Sequence, residues 1–251
     1  MNYPFTIEDE IDVDATPEEA WQAISVGPRL DSWFMGRSEI EPRVGGTARI
    51  DFDGFAMEST VTEWDPPTRL VYRSSEDPDG AFMEFGWRVE QRAGGGATLH
   101  FTHRGCLAGD DSEAEYEALK SGDPMYLRKL AHYLEFFNGQ IATRNIAVQG
   151  PVVASADQFW SALRRALGLD QGAGVREWDV VHAALDGLGT VDGVVDYLTP
   201  AFLGVRSSTA LYRFLYAPGG VAMVEHHDFS SSPNGHTSAD AWRAWLAKVF
   251  E

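Results

Sequence analysis

The sequence contains a single cysteine, Cys106, in 251 residues. No disulfide can close within the chain, and a reducing, cytoplasmic setting is expected. Positive charge is equally scarce: 20 Lys and Arg stand against 38 Asp and Glu, a net charge of −18. The deficit lies mostly in residues 1–145, where 13 basic residues face 27 acidic ones. Such a surface repels phosphate backbones and anionic headgroups, so no nucleic-acid partner is expected. No apolar run reaches the roughly 18 residues of a membrane helix, and the opening MNYPFTIEDEIDVD lacks the basic and apolar regions of a secretory signal. No membrane insertion is therefore expected. G-x-G-x-x-G, Walker and nucleophile-elbow words are also missing. The glycines of AGGGAT (93–98) precede neither a helix nor a Lys, so they read as a hairpin and not a phosphate loop, and no cofactor is predicted.

What the chain does have is a core: 44% of residues are hydrophobic and 12% aromatic, a globular composition. Phe5, Ile7, Ile11 and Val13 alternate with Thr6, Glu8, Glu10 and Asp12, a strand with one buried face. Asp9 breaks the inner row, which an edge strand tolerates. In DATPEEAWQAI (14–24), Thr16 caps a helix, Pro17 suits its first position and Glu19 closes a capping box, with Ala20, Trp21 and Ile24 on one face. LDSWFMG delivers Trp33, Phe34 and Met35 from a short helix or turn. Then follow TARIDF, FAMESTVTEW, RLVYRS, FMEFGWRVEQ and ATLHFTH, separated by turn signals and predicting, with the first strand, a six-stranded antiparallel meander. A short helix is expected near EAEYEALK. After Asp123-Pro124 a long helix carries Tyr126, Leu130, Tyr133, Leu134, Phe137 and Ile141 at helical spacing.

The words DATPEEAWQAI, WFMG, EPRVGGT and TEWDPPTRLVY, closed by an amphipathic helix, resemble the helix-grip superfamily of START and Bet v 1-like (SRPBCC) proteins. Within it they are similar to the branch of the activator of the Hsp90 ATPase. The resemblance covers residues 5 to 141 in order and implies a curved antiparallel sheet wrapped around a long C-terminal helix. That family's long helix usually begins with Trp where this chain has Met125.

The helix-start word recurs as VASADQFWSAL at 153–163. Aligning Trp21 with Trp160 also pairs Ile7 with Ile146, Val13 with Val152 and Ala15 with Ala154, and Ser155 to Gln158 repeats the capping box. VVDYLTPAFLGVR (194–206) lies on VTEWDPPTRLVYR (61–73), the hairpin ending at His227 lies on the one ending at His103, and SADAWRAWLAKVF supplies a closing helix. These ordered echoes predict an α+β chain of two helix-grip units, 1–143 and 144–251, the second shortened, with a smaller cavity or none. Residues 168–190 resist registration.

Metal binding is the first chemistry to weigh. His226 and His227 are neighbours in a strand and face opposite ways, as do His100 and His103, so neither pair forms a ligand set, and His236 adds no spacing that would; no metal is predicted. Glu63, Asp65 and Glu84 are ordinary for so acidic a chain, and Cys106 has no supporting base in sequence. The apolar row is more informative. Phe55, Met57, Tyr72, Phe85, Trp87 and Phe101 share inward parity, Trp33 and Phe34 stand at the mouth, and His103 ends the row. Met125, Lys129 and His132 form a stripe on the long helix expected to edge the same space.

These twelve residues are the expected contacts of a small hydrophobic ligand, a lipid or an aromatic, polyketide-like molecule, bound without catalysis. A second reading, similar to the superfamily's cyclases and dehydratases, makes inward His103 or His132 a general acid/base. A third, the co-chaperone role implied by the family, ranks last. A homodimer is left open.

Overall fold

The computed structural model describes residues 2–52, 55–169, 174–231 and 237–251, with the side chain of Phe55 outside the description. The chain divides into two compact units, Met1–Ile141 and Ala142–Glu251.

The first unit opens with β1 (Asn2–Val13), whose Phe5, Ile7 and Val13 are buried while Thr6 and Glu8 face water. At α1 (Pro17–Ser25) the Thr16 hydroxyl accepts from the Glu19 N–H at 3.2 Å, and the Glu19 carboxylate accepts from the Thr16 N–H at 2.8 Å. These bonds hold the Glu19 carboxyl below its ordinary range. The helix buries Ala20, Trp21 and Ile24, and Trp21 meets Trp64 edge-on at 5.1 Å. After the one-turn α2 (Gly27–Leu30) come β2 (Arg37–Ile40), β3 (Thr47–Phe52), β4 (Phe55–Asp65), β5 (Arg69–Ser74), β6 (Phe82–Gln91), β7 (Ala97–Ala108) and α3 (Ser112–Phe136). The seven strands form one antiparallel sheet in the order β1-β7-β6-β5-β4-β3-β2.

Three features differ from the sequence reading. Strand β2 was not expected: of its four residues only Ser38 is buried, so it carries no apolar alternation. Strand β7 runs on to Ala108, which places Cys106 inside the strand, half-buried, instead of after it. Finally, α3 is one helix of 25 residues that passes through Pro124. Proline deletes one N–H and leaves the Lys120 carbonyl without its helical donor. Burial of Leu127, Leu130 and Leu134 beyond it, and of Ser112 before it, keeps both halves on the same sheet.

The second unit repeats the plan: β8 (Arg144–Val152), α4 (Ala156–Ala166), β9 (Val180–Leu185), β10 (Gly189–Leu198), β11 (Phe202–Ser207), β12 (Ala210–Ala217), β13 (Val221–Asp228) and α5 (Ala239–Val249). Its six strands follow the order β8-β13-β12-β11-β10-β9, so in both units the first strand pairs with the last. The hairpins laid on each other in sequence both slip register, at Val61/Glu63 and at Val195/Tyr197. The end of the stretch that resisted registration, from Val180 on, enters the β9/β10 hairpin.

Two sequence pairings shift. Ile7 faces His103 across β1/β7, and Ile146 faces His226 across β8/β13, so the counterpart of His103 is His226 and not His227. On α4 the core position belongs to Phe159, while Trp160 is half-buried. The closing helix α5 has only 11 residues and fills its sheet with Trp242, Trp245 and Leu246.

A charged pair is buried in this second sheet. Arg213 of β12 reaches over Gly204 of β11 to Asp196 in the β10 bulge, donating at 2.9 and 3.3 Å, and also donates to the Tyr212 carbonyl at 2.8 Å. A Cβ on Gly204 would lie 2.4 Å from the Asp196 carboxylate and 2.6 Å from the guanidinium, so only glycine leaves the crossing open.

Candidate functional site: an aromatic cavity under the first sheet

Between the sheet of the first unit and α3 lies a cavity of about 180 Å3. Strand alternation sends one side chain in two inward: Ile50, Met57, Tyr72, Phe85, Trp87, Phe101 and His103 line the sheet side. Cross-strand register then packs them as rows. Tyr72, Phe85 and His103 are successive partners across β5, β6 and β7, with ring centroids 5.3 and 4.3 Å apart, while Trp87 and Phe101 form the next rung at 4.5 Å.

The segment between α2 and β2 closes one side. Trp33 is buried with its indole N–H on the Ala23 carbonyl at 2.9 Å, and meets Trp87 and Phe34 edge-on; Phe34 in turn lies 4.7 Å from Tyr126 of α3. Gly36 ends the segment at φ +78°, where a Cβ would lie 2.2 Å from the Asp51 carbonyl oxygen. The segment begins at half-buried Asp31, whose carboxylate accepts from the Ser38 N–H at 2.7 Å. Burial, the largest influence, pushes this carboxyl up from 3.8 to about 6. The folded chain thus holds the proton more tightly than the unfolded chain, and Asp31's contribution to stability is full below about pH 4 and lost as pH rises through 6. Asp31→Asn, neutral throughout, should melt above the wild type at pH 7.5 and with it near pH 4.

On α3, Leu119, Asp123, Tyr126 and Leu127 face the cavity at helical spacing. Met125, Lys129 and His132 do not line it, although all three are buried. At about 100° per residue, the three lie roughly 100–165° around the helix from the centre of the lining stripe. The stripe read from sequence therefore lies on a different face of this helix from the residues lining the cavity. Trp33, Phe34, Met57, Tyr72, Phe85, Trp87, Phe101 and His103 do come together around the cavity; the Phe55 side chain lies outside the described residues. Leu30, Met35, Ile50, Leu119, Asp123, Tyr126 and Leu127 were not anticipated as its lining. Extending the helical stripe of Tyr126 back across Pro124 would have found Asp123 and Leu119.

Asp123 changes the chemistry of the site. Its Oδ2 lies 2.9 Å from His103 Nδ1, and the imidazole, 2% exposed, is wedged between Phe85 and the edge of Phe5. The other ring nitrogen, Nε2, is buried without a hydrogen-bond partner, and no other lining side chain carries such an atom among the described residues.

The remaining candidates are accounted for elsewhere. His100 sits on the outer face, 3.2 Å from both Glu10 and Glu90; Glu63 pairs with Arg69 at 2.9 Å, Glu84 with Arg104 at 2.5 Å, and Asp65 accepts from the Thr68 hydroxyl at 2.9 Å. An open hollow of about 630 Å3 on that outer face is lined largely by these charged groups, already engaged with one another. Among the described residues no three His, Cys, Asp or Glu side chains are grouped to hold a metal ion, and His236 lies outside them. Among the described residues no helix is long and apolar enough to cross a membrane.

A curved antiparallel sheet closed over a long C-terminal helix defines the Bet v 1-like helix-grip class, here in tandem. Within it, residues 14–135 match the family described as activator of Hsp90 ATPase homolog 1-like protein. Solved structures are similar to the chain at low identity. The di-domain ARO/CYC BexL from the BE-7585A biosynthetic pathway is 17% identical, covering 96% of this chain and 93% of its own at a TM-score of 0.48. DynU16, from the dynemicin biosynthetic locus, is 20% identical over 98% of this chain and 95% of its own, with a TM-score of 0.45. The Aha1 dimer from Colwellia psychrerythraea is 22% identical over 54% of this chain and 99% of its own, with a TM-score of 0.46. Among curated proteins, none matches.

Proposed function

We propose that the first unit binds a small, flat apolar molecule carrying one hydrogen-bonding group. The observation behind this reading is the pairing of an aromatic-lined cavity with one buried, unpartnered nitrogen, His103 Nε2. Rings stacked on rings make a slot for a planar guest, and the imidazole supplies its orientation. Size narrows the class. Pockets for drug-sized ligands span roughly 300–1,000 Å3, so a cavity of about 180 Å3 suits one or two rings better than a four-ring polyketide or a long acyl chain. The second unit, its core filled by Trp242 and Trp245, has no part in this reading. From the family's description we take the fold alone.

The test is a thermal-shift panel of naphthols, indoles, hydroxybenzoates and palmitate on the full chain. A guest at 100 times its Kd adds about 2.7 kcal/mol, so one- and two-ring compounds should raise Tm by several degrees and palmitate should not. Met57→Trp, which fills the slot, should abolish the shift. A panel without any shift, or shifts that survive Met57→Trp, would overturn the reading.

A further inference from the structure

The two units hold the same imidazole in opposite hydrogen-bonding settings. In the first, the partner of His103 Nδ1 is a carboxylate oxygen of Asp123 at 2.9 Å. A carboxylate only accepts, so Nδ1 carries a hydrogen, and in the neutral ring Nε2 keeps its lone pair. In the second, the partner of His226 Nδ1 is the indole Nε1 of Trp242 at 3.2 Å. An indole only donates, so Nδ1 there is the acceptor and the hydrogen of the neutral ring sits on Nε2. The rest of the setting is alike. Each ring stacks on the aromatic residue opposite it, Phe85 at 4.3 Å and Tyr212 at 4.4 Å, and each is contacted from the closing helix. Among the described residues, the first unit brings together an imidazole whose neutral ring keeps a lone pair on Nε2, a supporting carboxylate and a cavity.

We infer that His103 is a general base and Asp123 its positioning residue, acting on an acidic C–H or O–H of a guest with one or two rings; this rests on the binding reading above. The lone pair of Nε2 takes the proton while the electron pair of the broken bond stays on the guest as an enolate or phenolate. The Asp123 carboxylate steadies the imidazolium that forms. Return of that proton to another atom of the same guest completes an enolisation or isomerisation, with no oxidant or second reactant. Water is kept from competing by the rings of Phe5, Phe85 and Phe101 around the imidazole.

The probe is 5-nitrobenzisoxazole, a two-ring compound with one acidic C–H. Removal of that proton turns the C–H pair into the third bond of a nitrile, the N–O bond breaks and a coloured nitrophenolate leaves. The full chain should turn it over above the buffer rate, His103→Ala should lower kcat at least about a hundredfold, the low end for a lost acid/base group, and Asp123→Asn should lower it too. His100→Gln, on the outer face, should leave kcat unchanged. Loss of the carboxylate destabilises the imidazolium, so Asp123→Asn should also move the acid limb of the kcat profile to lower pH, which a packing defect would not do. Circular dichroism verifies the fold of each variant, and quenching of Trp33 and Trp87 fluorescence reports binding. Absence of turnover overturns the dyad, as does a kcat that survives His103→Ala. Binding without turnover overturns the dyad alone, whereas failure of the probe and of the whole panel to bind overturns the binding reading as well.

Discussion

Trp242→Ala is expected to destabilise the second unit by about 3–5 kcal/mol, the range for an indole deleted from a packed core. Trp242 is 1% exposed and touches Tyr212, Phe214, His226 and Trp245 at ring separations of 5.5 to 6.1 Å. Deletion leaves an apolar void and deprives His226 Nδ1 of its donor, so a transfer loss and a polar loss add. A void of this kind, lined by rings, stays dry and accepts a matching guest. Indole should therefore restore part of the loss in urea titrations of Trp242→Ala and do much less for the second unit of the wild type. If indole gives the variant no specific gain, the core has collapsed around the missing side chain instead of keeping its shape.

The second large effect concerns the buried ion pair. Asp196→Ala should cost about 3–5 kcal/mol, because it takes a directly bonded carboxylate from a guanidinium whose side chain is 0% exposed. The cost belongs to a buried charge deprived of one counter-charge more than to the attraction lost, and this can be separated by experiment. Adding Arg213→Met to Asp196→Ala should recover part of the stability, since a well-packed apolar replacement of a buried pair is often neutral or better, while Glu225, opposite Arg213 and 0% exposed, stays buried. Raising salt should do little to either result, unlike for the exposed pairs of the first sheet. A double variant as unstable as the single one would mean that Arg213 is held by its carbonyl contact and packing more than by Asp196.

Legibility from sequence followed the strength of local signals. The capping box at Thr16 and Glu19 was readable because its bonds join residues three apart, and the sheet's inward row because strand alternation is strict. The tandem arrangement was visible because the same helix start and hairpins recur in order. Strand β2 was not visible: an edge strand of four residues with one buried serine has no pattern to detect. The lining of α3 was missed for a different reason. Asp123-Pro124 is locally a helix boundary, and only packing of both flanks on one sheet overrides it. With the boundary misplaced, the stripe from Met125 was chosen, and the carboxylate beside His103 went unnoticed. The pairing of His103 with His227 failed by one residue because two adjacent histidines offer sequence no means of choosing; the register with Ile146 decides for His226.

The duplicated imidazoles also bear on how the halves of this chain should be compared. Matching letters at His103 and His226 would score the position as preserved, yet one ring offers an acceptor where the other presents a donor. What distinguishes them is written elsewhere, in a single residue of each closing helix, Asp123 or Trp242. For a repeat of this kind, inheritance of a residue and inheritance of its hydrogen are separate events, and divergence can proceed through the second while the first stands still.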